Sequence, residues 1–253
     1  MKKALFITVR MGSSRLTDKA FRDILDKPVL EHIILRAKLA KEFDDVIVCT
    51  SEREVDNQIE ELALKNGVKV FRGSLEDKLE RWNGAAKKFG IDYIVTFDGD
   101  DLFCDPYLLD LGSRQIQESR YDFIEAPAGL ITGAFTYAFT ASALKKVCEI
   151  KDSDDTEMMW TYFKDSGYFR TGILQNIDAI YFSDTIRMTL DYPEDFDFFS
   201  KIFEHFKCDN NDVPLREIVE FLNENTDIPK INYERQKDFL ENQRKRTKLV
   251  LKK

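Results

Sequence analysis

Apolar runs alternate with amphipathic segments through the first half of the chain. Residues 4–9 are apolar apart from one threonine, as is typical of a central strand in a parallel sheet. Further strands are predicted at 45–50, 68–71 and 93–97, and helices at 28–40, 54–66 and 75–89. Strands that alternate with helices in this way predict an α/β fold with a mostly parallel, doubly wound sheet.

The regular alternation fades after a helix predicted at about 106–120. We interpret the next part, about 126–180, as an inserted smaller α+β subdomain that covers the crevice of the main sheet. A core strand is predicted at 186–191. Helices are predicted from 193, at 213–225 and at 233–246, before a basic tail. The whole chain, 1–253, is therefore predicted to form a single domain with one insertion.

Composition narrows the class of protein. The chain is 43% hydrophobic and 33% charged, which indicates an ordered globular protein. Its net charge of −8 disfavours a nucleic-acid partner. The four scattered cysteines form no Cys-x-x-Cys pair, and no apolar segment approaches the length that spans a membrane. We therefore expect a cytoplasmic protein with no membrane partner.

Small, hydroxyl and cationic residues follow the first predicted strand. Gly12, Ser13 and Ser14 allow a ligand close to the backbone and offer hydrogen-bond donors, while Arg15 and its cationic neighbours supply positive charge. Ligands of open α/β sheets bind just beyond the carboxyl ends of the strands. The hypothesis is that this loop holds a polyphosphate, although cations after a strand also occur in ordinary solvated loops. Neither the Walker nor the dinucleotide-binding glycine pattern occurs in the chain.

Carboxylates end another predicted strand. Asp98, Asp100 and Asp101 follow it, with Gly99 between the first two, and carboxylate oxygens suit Mg²⁺. An ordinary acidic turn is the alternative. Asp191 ends the predicted strand at 186–191, where it could also serve as a helix cap before Pro193.

Three stretches resemble one enzyme family. Residues 9–19 are similar to the Ala-Arg-Met-Gly-Ser-Ser-Arg-Leu-Pro-Gly-Lys of cytidylyltransferases that activate sugar acids, with departures at Val9, Thr17 and Asp18. The group similar to spore coat polysaccharide biosynthesis protein F is the nearest, and the sialate and 3-deoxy-manno-octulosonate enzymes are more distant. Residues 72–82 resemble the group's Arg-Gly-Ser-x-x-Asp-Val-Leu-x-Arg-Tyr. Residues 187–196 resemble its Arg-x-Thr-Val-Asp-x-Pro-Glu-Asp-Leu.

The resemblance implies a Rossmann-like nucleotidyltransferase fold and a homodimer that forms through the inserted segment at about 126–180, which also takes part in acceptor binding. It also implies transfer of CMP from CTP to a small acidic acceptor, with Mg²⁺ held by Asp100 and Asp191. The implied catalytic residues are Arg10, Arg15, Lys19, Asp100 and Asp191. The implied nucleotide-binding residues are Met11, Gly12, Ser13, Ser14, Arg72, Gly73, Ser74, Asp77, Arg81 and Asp98. Arg187 and Glu157 are the candidate acceptor-binding residues.

Several alternatives stay open at this point. The acceptor is either the hydroxyl of a sugar acid or a phosphate, which would give a CDP-linked product such as CDP-glutamine, CDP-glycerol or a CDP-sugar, in capsule or surface polysaccharide precursor biosynthesis. A glycosyltransferase that uses an Asp-x-Asp motif and a sugar nucleotide is a second class. A binding protein that kept the fold and lost turnover is a third.

Overall fold

The computed structural model describes residues 1–12 and 15–252. The strands are β1 (Lys3–Thr8), β2 (Asp23–Ile24), β3 (Lys27–Pro28), β4 (Asp45–Ser51), β5 (Lys69–Gly73), β6 (Tyr93–Asp98), β7 (Phe123–Glu125), β8 (Tyr137–Thr140) and β9 (Thr171–Ile173). The α-helices are α1 (Val29–Ala37), α2 (Asn57–Lys65), α3 (Lys78–Phe89), α4 (Pro106–Glu118), α5 (Ala141–Ile150), α6 (Trp160–Lys164), α7 (Pro193–Phe206), α8 (Leu215–Glu224) and α9 (Arg235–Arg246). Short 3₁₀ turns lie at Lys19–Phe21, Glu54–Asp56, Ala179–Tyr181 and Pro229–Ile231.

A seven-stranded sheet forms the middle layer, in the order β5-β4-β1-β6-β8-β7-β9. The β5-β4-β1-β6 half is parallel, β8 pairs antiparallel with β6 and with β7, and β9 is parallel to β7. The mostly parallel α/β class predicted from the sequence is confirmed. Because β1 and β6 are parallel neighbours, the loops after them lie at the same edge of the sheet.

Apolar side chains of β1 alternate between the two faces of the sheet. Leu5 and Ile7 belong to the cluster formed with α1, α4, α7 and α8, whereas Ala4 and Phe6 belong to the cluster formed with α3, α5 and α6. All four are completely buried. A strand covered on both faces is held firmly in position, so the loop that follows it starts from a fixed point.

The segment predicted as an insertion, about 126–180, extends the main sheet. It contributes β8 and β9, which pair on either side of β7. Its role in acceptor binding and dimerisation stays a prediction.

One predicted strand is wrong. Residues 186–191 belong to no strand of the sheet, and among them Arg187 forms an isolated bridge with Thr132. The Leu190 amide instead donates to the carbonyl of Asp100, at 2.8 Å. The physical reason that no strand forms lies in the polar side chains of this segment. Arg187 and Asp191 are buried and held by hydrogen bonds to other side chains rather than by packing in the sheet.

Within the described part of the chain, no helix combines the length and the apolar character needed to cross a lipid bilayer. The four cysteines are free thiols. Burial raises the pKa of the Cys49 thiol to about 12, so this side chain behaves as a small buried hydrophobe.

Candidate active site

A cavity of about 860 Å³ opens where β1 and β6 end. Its walls come from the loop after β1, the acidic turn after β6, the segments at 130–137, 157–160 and 189–191, and one face of α9. Among the predicted site residues, the cavity is lined by Arg10, Gly12, Arg15, Lys19, Arg81, Asp98, Asp100, Glu157 and Asp191. The volume lies in the upper part of the range of roughly 300–1,000 Å³ that ligand pockets occupy.

Asp100 and Asp191 meet at one wall of this cavity, although 90 positions separate them in the chain. The Lys19 ammonium lies 2.8 Å from a carboxylate oxygen of Asp100 and 3.5 Å from one of Asp191. Arg15 also pairs with Asp191. The loop after β1 therefore directs two cations onto two carboxylates.

Gly99 makes the approach of the acidic turn possible. A Cβ atom at this position would lie 2.7 Å from the carbonyl oxygen of Thr8 and 2.7 Å from the Cβ of Val9. The Gly99 amide donates to that Thr8 carbonyl at 2.8 Å. Only a residue without a side chain lets the turn pack this closely against the end of β1.

The ionisation of the cluster follows from burial and charge. Burial opposes the negative charge of Asp191, but Lys19, Arg15 and Arg187 hold its pKa below the ordinary value. Burial raises the pKa of Asp100 against the effect of Lys19, and the like charges of Asp191 and Asp98 add to the rise. Burial opposes the positive charge of Lys19 as well, yet Asp100 and Asp191 raise its pKa. The carboxylates thus hold a lysine that stays charged.

The donor set fits a magnesium–nucleotide complex. The Lys19 ammonium nitrogen lies within 3.5 Å of both carboxylates, so one positive charge is already held between them. Within residues 1–12 and 15–252, no group of three or more Asp, Glu, His or Cys side chains is arranged to hold a metal by itself. Mg²⁺ commonly binds through one or two carboxylates with phosphate oxygens as further ligands, so two carboxylates suffice when a triphosphate is present.

Arg187 lies behind Asp191 and does not line the cavity. It is completely buried, and its guanidinium donates to Asp191 at 3.2 Å and to Asp195 at 3.1 and 3.3 Å. Tyr192, not Asp191, is the N-cap residue of α7. The structure therefore gives Arg187 a supporting position beneath a carboxylate, where it has no direct access to a ligand in the cavity.

The residues predicted from the 72–82 stretch divide into two groups. Arg72 points away from the cavity and pairs with Glu60 at 2.9 Å, and Gly73 packs against Arg81. Asp77 caps α3 by accepting from the Glu80 amide at 3.1 Å.

Ser74 Oγ accepts from the amide of Asp77 at 3.1 Å, so this side chain bonds to the backbone just before α3. Of the residues predicted from this stretch, Arg81 is the one that the structure brings to the cavity wall, where the unpredicted Lys78 also lies. There Arg81 is buried and donates to the Leu75 carbonyl at 3.3 Å.

Met11 supports the loop after β1 from its buried side. Its side chain is buried, its amide donates to Asp56 at 2.7 Å, and its carbonyl accepts from Arg53. Ser13 and Ser14, which were predicted to bind phosphate, lie outside the described residues.

Glu157 and Arg10 form an ion pair of 3.4 Å within the cavity. Burial opposes the charge of Glu157, but Lys78, Arg10 and Arg246 lower its pKa. The glutamate predicted to bind the acceptor is thus charged and accessible to a ligand.

Sequence reasoning missed Lys78 and a group of residues on α9, all of which line the cavity. Lys78 pairs with Asp98 at 3.1 Å, and it follows Asp77 inside a stretch that the resemblance had already marked. The second group lies on α9, whose polar sequence predicts a helix but no cavity face: Gln236, Phe239, Leu240, Asn242, Gln243 and Arg246.

A family model described as cytidylyltransferase matches residues 4–246. The chain belongs to the cytidylyltransferase family. Members of this family use CTP for nucleotidyl transfer, and the family predicted from the three stretches is thereby confirmed.

Relatives of this cytidylyltransferase cover nearly its full length. The uncharacterized protein MJ1063 of Methanocaldococcus jannaschii is 32% identical over 95% of this chain and 99% of its own. The spore coat polysaccharide biosynthesis protein SpsF of Bacillus subtilis is 28% identical over 90% of this chain and 97% of its own. A solved cytidylyltransferase from Leptospira borgpetersenii has a TM-score of 0.80 and 29% identity, and covers 90% of this chain and 96% of its own. Similarity of this extent confirms the nucleotidyltransferase fold.

Proposed function

We propose that this cytidylyltransferase transfers CMP from Mg·CTP to a small acidic acceptor and releases pyrophosphate. The observation that carries the proposal is the meeting of Lys19 and Arg15 with Asp100 and Asp191 at one wall of the cavity. A triphosphate with its metal needs both kinds of group, since cations neutralise the phosphates and carboxylates bind the metal.

The chemistry requires positioning and charge neutralisation. An acceptor oxygen attacks the α-phosphorus of CTP, and the bond between that phosphorus and the pyrophosphate oxygen breaks. Mg²⁺ bound by Asp100 and Asp191 would neutralise phosphate charge. Lys19 and Arg15 approach the same wall and stabilise the negative charge of the departing pyrophosphate.

The acceptor end of the cavity is proposed to lie around Glu157, because Lys78, Arg10 and Arg246 supply positive charge there. Glu157 lines the cavity and contacts a ligand directly, whereas Arg187 acts on it only through Asp191. The acceptor is a sugar acid that reacts through a hydroxyl, or alternatively a phosphate that yields a CDP-linked product such as CDP-glutamine, CDP-glycerol or a CDP-sugar. The likeness to the spore coat protein supports a role in making precursors of capsule or other surface polysaccharide. Family membership favours nucleotidyl transfer over the glycosyltransferase alternative.

Two further properties belong to this proposal. The enzyme acts in the cytoplasm, where CTP is available, and it forms a homodimer through the segment at about 126–180. Size-exclusion chromatography with light scattering measures the second property directly.

Pyrophosphate release tests the reaction. The protein is incubated with Mg·CTP and with either a 3-deoxy sugar acid or a phosphate monoester, and with UTP, ATP or GTP in place of CTP as controls. Release that needs both CTP and an acceptor is expected, and Asp100→Asn abolishes it. Asp227→Asn is the matched control, because this carboxylate is highly exposed and outside the cavity. Turnover of an intact sugar nucleotide, or normal pyrophosphate release by Asp100→Asn, would contradict the proposal.

A further inference from the structure

Helix α9 presents one face to the cavity and packs no residue in the core. Its cavity-lining positions include 236, 239, 243 and 246, which fall on one side of a helix with 3.6 residues per turn. None of its twelve residues is buried. A helix of a globular protein normally buries an apolar stripe, so α9 has an inward face that borders space open to a ligand.

Both ends of α9 are fixed to the body of the protein. At its start, Gln236 accepts from Arg187 at 3.2 Å and donates to Thr132 at 3.1 Å. Beyond its end, the Asp152 amide donates to the carbonyl of Val250 at 2.9 Å, and the Lys252 amide donates to the carbonyl of Ile150 at 2.8 Å. The helix therefore spans the cavity from the side of Asp191 towards the loop that carries Glu157.

Gln236 and Arg246 are ten positions apart in the chain, which corresponds to about 15 Å along an α-helix. Gln236 contacts the arginine that supports Asp191, and Arg246 lines the same cavity further along the helix. Arg246 and Glu157 both line the cavity, and the positive charge of Arg246 contributes to lowering the pKa of Glu157.

Charge pairing separates Arg246 from the other cations of the cavity. Four cations there have carboxylate partners: Arg10, Arg15, Lys19 and Lys78. Arg81 is buried and donates to backbone carbonyls. Across residues 1–12 and 15–252, the Arg246 guanidinium has no carboxylate within 4 Å and no side-chain hydrogen bond, and it is exposed. Five donors in a fixed planar group are thus available to an anion.

We propose that Arg246 binds the anionic group of the acceptor and that the inward face of α9 selects the acceptor. The shared ligand chemistry is a carboxylate or a phosphate, which the guanidinium holds through paired hydrogen bonds. The amides of Asn242 and Gln243 lie on the same wall and are available to hydroxyl groups. This inference rests on the proposed function, because that function supplies the acidic acceptor.

The test compares two arginines of the same helix. Arg246→Gln removes the cavity charge, and Arg244→Gln removes an equal charge from an exposed position that does not line the cavity. Calorimetry measures binding of two probes, glycerol 3-phosphate and N-acetylneuraminate, to protein saturated with Mg²⁺ and a CTP analogue carrying an α,β-methylene bridge. Binding of the analogue itself is measured in the same way. The two probes distinguish a phosphate from a carboxylate acceptor.

We expect at least one probe to bind the unmodified protein and Arg246→Gln to weaken that probe about 10- to 100-fold, the usual effect of losing a hydrogen bond to a charged group. Arg244→Gln leaves probe binding unchanged, and both variants bind the CTP analogue normally.

Three results would overturn the inference: neither probe binds, Arg246→Gln binds the probe normally, or Arg246→Gln weakens the CTP analogue instead. Failure of the proposed function is distinguishable, because it appears as absent pyrophosphate release from CTP even where a probe binds.

Discussion

Replacing Arg187 with methionine tests the support beneath Asp191. The guanidinium is completely buried and lies 3.2 Å from Asp191 and 3.1 Å from Asp195. Methionine removes the charge and its hydrogen bonds while filling part of the space, so two buried carboxylates lose a shared cation. Removal of one partner from a buried ion pair typically costs about 3–5 kcal/mol.

The expected loss lies at the lower end of that range. Lys19 and Arg15 still neutralise Asp191, and Asp195 keeps the hydrogen bonds donated by Asn232 at 2.9 Å and by the Tyr192 amide at 2.9 Å. We therefore expect the free energy of unfolding to fall by about 3 kcal/mol.

Urea unfolding followed by circular dichroism measures this loss as a lower midpoint with an unchanged slope. The control is Arg216→Met, since Arg216 forms an ion pair with Asp178 in which both side chains are about half exposed. Water screens that pair, so it contributes little to stability. A loss below about 1 kcal/mol for Arg187→Met, or equal losses for the two variants, would refute the reasoning.

Three further variants separate structural from functional roles. Gly133→Ala should destabilise the protein by about 2 kcal/mol or more in urea unfolding, because its φ is +91° and a Cβ would lie 2.0 Å from the Met188 carbonyl oxygen. Gly167→Ala is the control and should destabilise less, because Gly167 has φ +78° but nothing within 4 Å of an added Cβ. Equal losses of stability would contradict the steric argument. Arg72→Met should lower stability by about 1 kcal/mol and leave the KM for CTP within twofold, because Arg72 does not line the cavity and donates to Glu60, Asn57 and the carbonyls of Ser51 and Arg53. A large rise in KM would show that Arg72 contacts the nucleotide. Lys19→Met should slow pyrophosphate release. It should also enlarge the rise in melting temperature that Mg²⁺ causes without nucleotide, because the ammonium no longer lies between Asp100 and Asp191. An unchanged response to Mg²⁺ would contradict this account.

The sequence was sufficient to predict the edge of the sheet at which the site lies. An apolar strand at 4–9 and another at 93–97 are parallel neighbours, so the cations after one and the carboxylates after the other had to approach each other. Asp191 was predicted through resemblance to the family, and its backbone comes to the site without the strand that its apolar neighbours predicted.

The sequence pattern did not predict the direction of individual side chains. Arg72 lies on edge strand β5, whose residue Phe71 packs on the α3 side of the sheet, and the bonds of Arg72 to Asn57 and Glu60 place it on the α2 side. Arg187 was predicted to meet the acceptor because it is close in sequence to Asp191, yet the chain turns its guanidinium into the interior. The contribution of α9 depends on tertiary contacts at both of its ends, and its sequence carries no signal for them.

Calorimetric titration of CTP in the presence and absence of Mg²⁺ tests the central claim most directly. If Asp100 and Asp191 hold the metal on a triphosphate contacted by Lys19 and Arg15, Mg²⁺ will strengthen CTP binding in the unmodified protein. Asp100→Asn and Asp191→Asn will each lose that enhancement, whereas Asp227→Asn will keep it. CTP binding that is independent of Mg²⁺, or an enhancement that persists in Asp100→Asn, would contradict the account.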